Sequence, residues 1–306
     1  MPTATSAIST KTPGGFGLTQ ADLPDLTEAP IDPHAWFAAP GAPVDASNQG
    51  RPPLDLEIGS GKGTFLAQQA PLEPEVRWLG VEYARAFWRH AADRARRHGL
   101  DNVRVLHAEA GSLVRHYLPD RSVRQAHIYF PDPWPKARHH KRRLVQAPFL
   151  QDLWRVLDDP APEVPNPEGA NPEVPNVDVA ESAVGSENAP PAPRGCVRLV
   201  TDHADYFAWM QEHAERVSPW FERLPYRAAA SADDGELVGS NFERKYRVEG
   251  RTFSGMILRK RADAPVPDRA PAGTTAGLTA DPTADPTADP TADPTAHPST
   301  PPRETP

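Results

Sequence analysis

The sequence predicts an α/β fold in which a mostly parallel sheet carries helices on both faces. Two observations lead to this prediction. Strand and helix patterns alternate along 54–157 and again along 195–261, and a glycine-rich turn directly follows the first strand. In such a sheet, ligands bind at the carboxyl ends of the strands. Each candidate site residue is therefore judged by whether it follows a strand.

The strands are predicted from short apolar or alternating runs. They are Leu54–Ile58, Val76–Val81, Val103–His107, Ala126–Phe130, Val197–Thr201 and Thr252–Arg261. A short helix is expected from about Thr64. A second helix follows from the apolar stripe along 84–95, with Gly99 at its carboxyl end. Two further helices are predicted from apolar spacing along 150–157 and 207–217.

Proline and charge divide the chain of 306 residues into a body and three flanking stretches. The stretches 1–53, 158–194 and 262–306 contain 29 of the 38 prolines. The formal net charge is −8, but the body (54–157 and 195–261) has a net charge of +7. We therefore expect one basic folded domain in two parts, because an acidic total does not argue against nucleic acid when the body is basic.

The three stretches are predicted to lie outside the core of this domain. Residues 1–53 are expected to be largely disordered, although the aromatic pair near His34 and Phe37 is expected to dock on the body. Residues 158–194 are expected to form a proline-rich, acidic loop insertion. Residues 262–306 contain TADP repeats, which favour a disordered acidic tail because proline in every unit prevents a helix or a central strand.

Several classes of protein are excluded by the composition. The sequence contains no run of about 18 apolar residues, so no transmembrane helix is predicted. Its first residues lack the apolar region of a secretory signal. The single cysteine, Cys196, excludes a disulfide framework and a thiolate metal site. We expect a cytoplasmic protein, a monomer or homodimer, with no metal and no membrane partner.

The glycine-rich turn Glu57–Gly63 predicts a nucleotide-like ligand. It fails the P-loop pattern, and it fits the dinucleotide pattern poorly because Thr64 replaces the third glycine. The spacing of Gly59 and Gly61 fits a loop for S-adenosylmethionine better. That ligand carries a sulfonium and an ammonium group, so it calls for carboxylates, which Glu57, Glu82 and Glu109 supply at three successive strand ends.

A second motif follows the fourth strand. Three prolines between Phe130 and Lys136 form a stiff platform for Asp132 and Trp134, because proline fixes φ and removes a donor. A run of cationic or titratable residues comes next and predicts a phosphate-binding patch. Its members are Arg138, His139, His140, Lys141, Arg142 and Arg143.

The segment Phe130–Leu144, read as FPDPWPKARHHKRRL, resembles the signature of the tRNA (guanine-N7-)-methyltransferase family. The turn Glu57–Gly63, Gly80–Glu82, Thr201–Asp202 and Ser240–Glu243 are similar to its other motifs, in the same order. The resemblance covers the body and none of the proline-rich stretches. It implies a class I methyltransferase (Rossmann-like) sheet with an antiparallel last strand, and methylation of guanine at position 46 in the tRNA variable loop.

The resemblance also implies roles for individual residues. Asp132 corresponds to the proposed catalytic residue. The cofactor positions are Glu57, Gly59, Gly61, Glu82, Glu109 and Asp132; the substrate positions are Lys136, Asp202, Ser240, Asn241, Phe242 and Glu243; and Arg138–Arg143 correspond to an RNA-contacting segment. Two departures from the family pattern are visible. Glu109 stands where Asp or Asn is usual, and Ser240 and Asn241 replace a Thr-x pair.

The chemistry of the implied reaction predicts the roles of some of these side chains. Guanine N7 carries a lone pair and no proton, so methylation needs no general base, and Asp132 is expected to stabilise the positive charge that the ring gains. Asp202 and Glu243 are expected to accept hydrogen bonds from guanine N1–H and the amino group. Trp134 is expected either to stack on the base or to pack in the fold.

Two alternative functions stay open at this point. The segment Pro131–Trp134 loosely resembles the motif of amino-group methyltransferases, but Trp134 stands where that motif has proline. The other alternative is an RNA-binding protein that keeps the cofactor fold without catalysis. Incorporation of methyl groups from labelled cofactor into tRNA separates these functions.

Overall fold

The structure of the protein is a computed structural model that describes residues 15–38, 50–160 and 194–267. One sheet of eight strands runs through it. The strands are β1 (Gly17–Thr19), β2 (Leu54–Ile58), β3 (Arg77–Glu82), β4 (Val103–His107), β5 (Gln125–Tyr129), β6 (Cys196–Thr201), β7 (Phe221–Pro225) and β8 (Ser254–Lys260). The helices are α1 (Thr64–Gln69), α2 (Arg85–Arg97), α3 (Ala110–Ser112), α4 (Ala147–Val156), α5 (Ala204–Arg216) and α6 (Asn241–Val248). No helix in these ranges has the length and apolar character needed to cross a membrane.

The strand order confirms the predicted fold class. The order is β1-β4-β3-β2-β5-β6-β8-β7. Strands β1 to β6 pair in parallel, and β8 runs antiparallel between β6 and β7. The sheet is therefore mostly parallel, with an antiparallel last strand inserted beside β6.

Both faces of the sheet are buried, and every residue of the central strands β2, β5 and β6 is buried. One face packs against α4 and α5 in a core that includes Leu56, Phe149 and Met210. The other face packs against α1 and α2 in a core that includes Phe65 and Trp88. The apolar stripe predicted along 84–95 forms the buried side of α2, and Gly99 follows that helix with φ +61°.

The amino-terminal stretch differs from the expectation between residues 15 and 38. β1 adds a parallel edge strand beside β4, with Leu18 fully buried. The predicted docking of the aromatic pair is confirmed: Trp36 is buried, and the Phe37 ring lies 5.4 Å from the guanidinium of Arg77. The rest of the predicted disordered segment, residues 1–14 and 39–49, lies outside the described residues. So do most of the predicted insertion (161–193) and tail (268–306).

Neither strand β7 nor helix α6 was predicted from the sequence. β7 pairs with β8 at the far edge of the sheet, and α6 follows the segment that crosses from β7. The segment 226–240 between them returns over the face that carries α1, where Ser231 N donates to Gln69 Oε1 at 3.0 Å. The Phe242 ring in the first turn of α6 stacks on Phe130, which directly follows β5, so the start of α6 lies near the carboxyl ends of the central strands.

Candidate cofactor and guanine site

The strand register brings the motif residues to one edge of the sheet. Ile58 at the end of β2 is paired with Val81 in β3 and with Ile128 in β5. Neighbouring strands lie about 4.8 Å apart. The residues at the carboxyl ends of these three strands are therefore neighbours, as the sequence predicts for Glu57, Glu82 and the Asp132 segment.

The turn after β2 has a backbone that glycine makes possible. Gly59, Gly61 and Gly63 have φ of +76°, +52° and +68°. At Gly61 an added Cβ would meet nothing within 4 Å, so this side of the turn is open to a ligand. At Gly63 an added Cβ would lie 2.9 Å from the Ala91 backbone, so glycine there lets α2 pack closely against the turn.

Glu57 is a buried acid with an unsatisfied oxygen. Its side chain is 4% exposed, and Oε2 has no hydrogen-bond partner among the described residues. Burial raises the pKa of Glu57 to about 8, and the negative charge of Glu82 adds to the shift. A buried carboxylate without a partner is unfavourable, so this group is suited to a cationic ligand group that enters the site.

Glu82 and Glu109 each hold backbone amides. Glu82 Oε2 accepts from Gly61 N and Oε1 accepts from Ala84 N, both at 2.7 Å. Glu109 caps α3, accepting from the amides of the next helical turn at 2.7 and 2.6 Å. Glu82 thus ties the glycine turn to the start of α2. The carboxylate of Glu109 is engaged with α3, so an adenine contact would have to use its remaining lone pairs.

Asp132 lies at the same site as Glu57 and Glu82. Its side chain is exposed at a rim, yet the surrounding protein desolvates it and raises its pKa. Burial, and beyond it the charge of Asp132, also raises the pKa of Glu82. Glu57, Glu82 and Asp132 therefore form one electrostatically linked group, and the space they border is called the cofactor cleft below.

The corner that carries Asp132 has a strained backbone at both ends. Phe130 has φ +53° and Trp134 has φ +43°, in the left-handed region that non-glycine residues rarely adopt. Each such residue costs about 1–2 kcal/mol. Strain of this kind persists only where the surrounding structure enforces it, and such sites are often functional.

Arg143 enforces the corner from inside the protein. Its side chain is 1% exposed, Nε donates to Pro133 O at 2.8 Å, and Nη2 donates to Asp205 Oδ2. The guanidinium also lies 5.0 and 5.2 Å from the ring centroids of Tyr206 and Trp209. Arg143, which the resemblance assigns to the RNA-contacting segment, is therefore buried beneath that segment and holds the Asp132 corner through contacts inside the protein.

The other five residues of the basic run are exposed or half-buried. They occupy a 3₁₀ turn, Ala137–Arg142, in which Arg138 and Lys141 are exposed and Arg142 lies 5.0 Å from the Trp134 ring. The pKa of His139 is lowered, first by desolvation and then by the cations around it. Lys136 is also exposed, immediately before the turn. The arrangement presents a cationic surface beside Asp132, with Trp134 between them.

The structure places the expected guanine acceptors differently. The Glu243 carboxylate is fully buried, and its oxygens accept from the amides of Leu237, Val238 and Gly239 at 2.7–3.0 Å. Its oxygens therefore face the protein and do not point into the cofactor cleft. Asp202 is mostly buried and accepts from Arg251 Nη1 at 2.8 Å, which leaves its second oxygen for a ligand.

The remaining substrate positions form the start of α6. Ser240 caps this helix by accepting from Glu243 N at 3.1 Å, and Asn241 is exposed. The Phe242 ring is 38% exposed and stacks on Phe130, with ring centroids 4.7 Å apart. The α6 segment is thereby joined to the strained corner by an aromatic contact.

One exposed side chain at the cofactor cleft was missed from the sequence. Tyr83 follows Glu82 directly and is 55% exposed, although its backbone is held by His107 through a 2.9 Å contact to Tyr83 O. An exposed ring beside a strand end is suited to stack on a planar group. The sequence signal that could have identified Tyr83 is its position directly after Glu82, an acid at the end of a strand. No cluster of His, Cys, Asp and Glu suited to a metal occurs among the described residues.

Comparison with known proteins identifies similar sequences. The family described as putative methyltransferase matches residues 51–161. The tRNA (guanine-N(7)-)-methyltransferase of Halorhodospira halophila is 35% identical over 211 residues, which are 69% of this chain and 76% of that protein. The protein of the same name from Alkalilimnicola ehrlichii is 33% identical over 223 residues, 72% of this chain and 79% of that protein.

Solved structures were compared as well. Precorrin-6y C5,15-methyltransferase from Geobacter metallireducens aligns with a TM-score of 0.37 and 12% identity, covering 68% of this chain and 80% of that chain. The fold assignment accordingly rests on the strand order and register of this chain.

Proposed function

Since this chain belongs to the tRNA (guanine-N7-)-methyltransferase family, we propose that it transfers a methyl group from S-adenosylmethionine to N7 of a guanine in tRNA. We further propose that the target is position 46 in the variable loop, that the reaction takes place in the cytoplasm and that the active species is a monomer or homodimer. The observation that supports this function most is the cofactor cleft, where three strand-end acids lie together and one of them has an unpartnered buried oxygen.

Different residues of the cleft would bind different parts of the cofactor. S-adenosylmethionine supplies an electrophilic methyl group when it is bound. Glu57 would take the ammonium group of the cofactor, and Glu82, held against the glycine turn, would take the ribose hydroxyls. Tyr83 would cover the adenine ring, and Glu109 would lie beside it. Gly59 and Gly61 leave the turn open for these contacts.

The substrate side of the cleft is formed by the strained corner and its neighbours. Asp132 would orient the guanine and stabilise the positive charge that develops on it, without removing a proton. Asp202 would accept from the guanine edge, whereas Glu243 would act indirectly by holding the 237–239 backbone and the Ser240–Phe242 segment in place. Lys136 and the residues of the basic run from Arg138 to Arg142 would bind phosphates.

The test is to incubate tRNA with the protein and methyl-labelled cofactor and to map the modified nucleotide. Label in 7-methylguanosine at position 46 is the expected result. Label at an exocyclic amino group would favour the amino-group alternative. Binding of tRNA without incorporation would favour a non-catalytic RNA-binding protein, and label in 7-methylguanosine elsewhere would overturn only the position.

Cofactor binding is expected to release about one proton at pH 7, because Glu57 is protonated in the empty site and must ionise to pair with an ammonium group. Calorimetry in buffers of different ionisation enthalpy measures this release. Glu57→Gln is expected to abolish the release and weaken cofactor binding at least about 10-fold. An undiminished release in Glu57→Gln would contradict the assignment.

Glu57→Gln is expected to weaken cofactor binding but to stabilise the folded protein. The pKa of Glu57 is raised from 4.5 to about 8 in the folded protein, so the group's contribution to stability is full below about pH 4.5 and is lost progressively as pH rises to about 8. The melting temperature of Glu57→Gln is therefore expected to exceed that of the wild type increasingly between about pH 5 and pH 8, and by a constant amount above pH 8. A fixed difference between about pH 5 and pH 8 would show that folding does not raise the pKa of Glu57.

A further inference from the structure

Helix α2, which begins three residues after Glu82, carries an unusual density of arginines. It has five arginines in thirteen residues and a single acid, Asp93. Asp93 accepts from Arg96 at 2.7 Å and from Arg97 at 2.9 Å, and Arg94 Nε donates to Lys62 O at 3.0 Å. Arg85 and Arg89 are different, since both are exposed and neither has an ion pair or hydrogen bond with another described residue.

The positions of Arg85 and Arg89 are unfavourable for the helix itself. They are four residues apart, so their like charges lie side by side on one face. They stand at the amino-terminal end of α2, where the helix dipole disfavours cations, and the first turn contains no acid. Residues that break local rules without an internal compensation are expected where the chain serves a function.

The location of the pair supports a ligand-binding role. α2 begins three residues after Glu82, which holds Ala84 N, and it packs against the glycine turn at Ala91. Arg85 begins α2 three residues after the end of β3, and Arg89 follows about one helical turn later, so both lie in the half of α2 nearer the carboxyl end of β3. The exposed Lys136, Arg138 and Lys141 follow β5, and β2 lies between these two strands. Cationic side chains therefore follow the strands on both sides of β2.

A ligand that places a base in the cleft and has negative charge on both sides is a nucleic acid strand or duplex. Its phosphates are spaced regularly along the backbone, so they can reach both cationic groups at once. We propose that Arg85 and Arg89 form a second phosphate-binding surface, which binds the backbone of the substrate tRNA on the opposite side of the cleft from Arg138–Arg142. This inference rests on the proposed function, because it takes tRNA as the nucleic acid.

The test compares two double variants of the full-length protein with the same change in charge. Arg85→Gln with Arg89→Gln removes the proposed contacts. Arg216→Gln with Arg223→Gln is the matched control, because both arginines are exposed, Arg216 ends α5 and Arg223 lies on β7 at the far edge of the sheet. Dissociation constants for tRNA are measured from 50 to 300 mM salt, together with the affinity for S-adenosylmethionine.

The Arg85/Arg89 variant is expected to bind tRNA about 10-fold more weakly near 100 mM salt. The slope of log K against log salt is expected to fall by about 2, because each phosphate contact contributes roughly 0.9. Affinity for the cofactor should be unchanged. A slope equal to that of the Arg216/Arg223 control would overturn the inference.

Methyl transfer by the wild type is measured alongside and separates the two proposals. If the wild type methylates guanine N7 but the Arg85/Arg89 slope matches the control, only the second surface is refuted. If the wild type incorporates no methyl group into tRNA, the proposed function fails, while the slope still reports whether these arginines bind RNA phosphates.

Discussion

Asp132→Asn is expected to lower kcat for tRNA methylation about 10²- to 10³-fold, the range found when one charge-stabilising group is removed from an active site. The guanine ring becomes cationic as N7 is methylated, and the Asp132 carboxylate is held beside the cofactor cleft in a partly desolvated position. An electrostatic interaction is stronger there than in open water. Asparagine keeps the shape of the side chain and removes only the charge.

Affinity for S-adenosylmethionine should change much less than kcat, because Glu57 and Glu82 still face the cofactor side of the cleft. Single-turnover rates with saturating cofactor and tRNA isolate the chemical step. Asp120→Asn provides a control, since Asp120 is an exposed acid paired with Arg155 and lies before β5, at the opposite edge of the sheet. An Asp132→Asn rate equal to that of this control would remove Asp132 from the mechanism.

The pH dependence gives a second check on the same residue. Burial raises the pKa of Asp132 above its ordinary value, and the ionised form is the one that stabilises the product charge. Wild-type kcat is therefore expected to be flat through neutrality and to fall on the acid side as Asp132 becomes protonated. This acid fall should be absent in Asp132→Asn, because asparagine does not titrate.

The parallel core of the fold could be predicted because its signals are local. Strand β4 was predicted with the same bounds that the structure shows, Val103–His107, since five alternating or apolar residues lie between polar turns. Strand β1 has only three residues and is stabilised by pairing with β4, more than 80 residues away in the chain. A contact of that kind leaves no periodic pattern in the sequence.

The site was predictable to the extent that it follows from strand ends. Glu57, Glu82 and Asp132 come together because parallel strands end at one edge, which requires no knowledge of side-chain packing. The inward turn of Arg143 could not be predicted in this way. A run of six cationic or titratable residues does not show which member will pair with a carboxylate. The partner of Arg143, Asp205, is 62 residues further along the chain.

Arg143→Lys is expected to lower kcat about 10- to 100-fold, because the Asp132 corner would lose its internal support and small displacements of reacting groups are costly. Lysine keeps the positive charge, but it lacks the planar fork that joins Pro133 O to Asp205 and fits between the Tyr206 and Trp209 rings. The free energy of unfolding is expected to fall by about 1–3 kcal/mol, since a buried donor to a backbone carbonyl is lost.

A positioning role differs from a purely structural role in what happens to the folded fraction. If Arg143 only stabilises the fold, kcat per folded molecule should be unchanged in Arg143→Lys at a temperature well below its melting point. If it positions Asp132, kcat should fall there while affinity for S-adenosylmethionine is retained. Asp205→Asn is the matched variant, because Asp205 is 60% exposed and its loss leaves the Arg143 bond to Pro133 in place. A smaller loss of kcat in Asp205→Asn than in Arg143→Lys would assign the effect to the Pro133 contact, because that contact alone reaches the backbone next to Asp132.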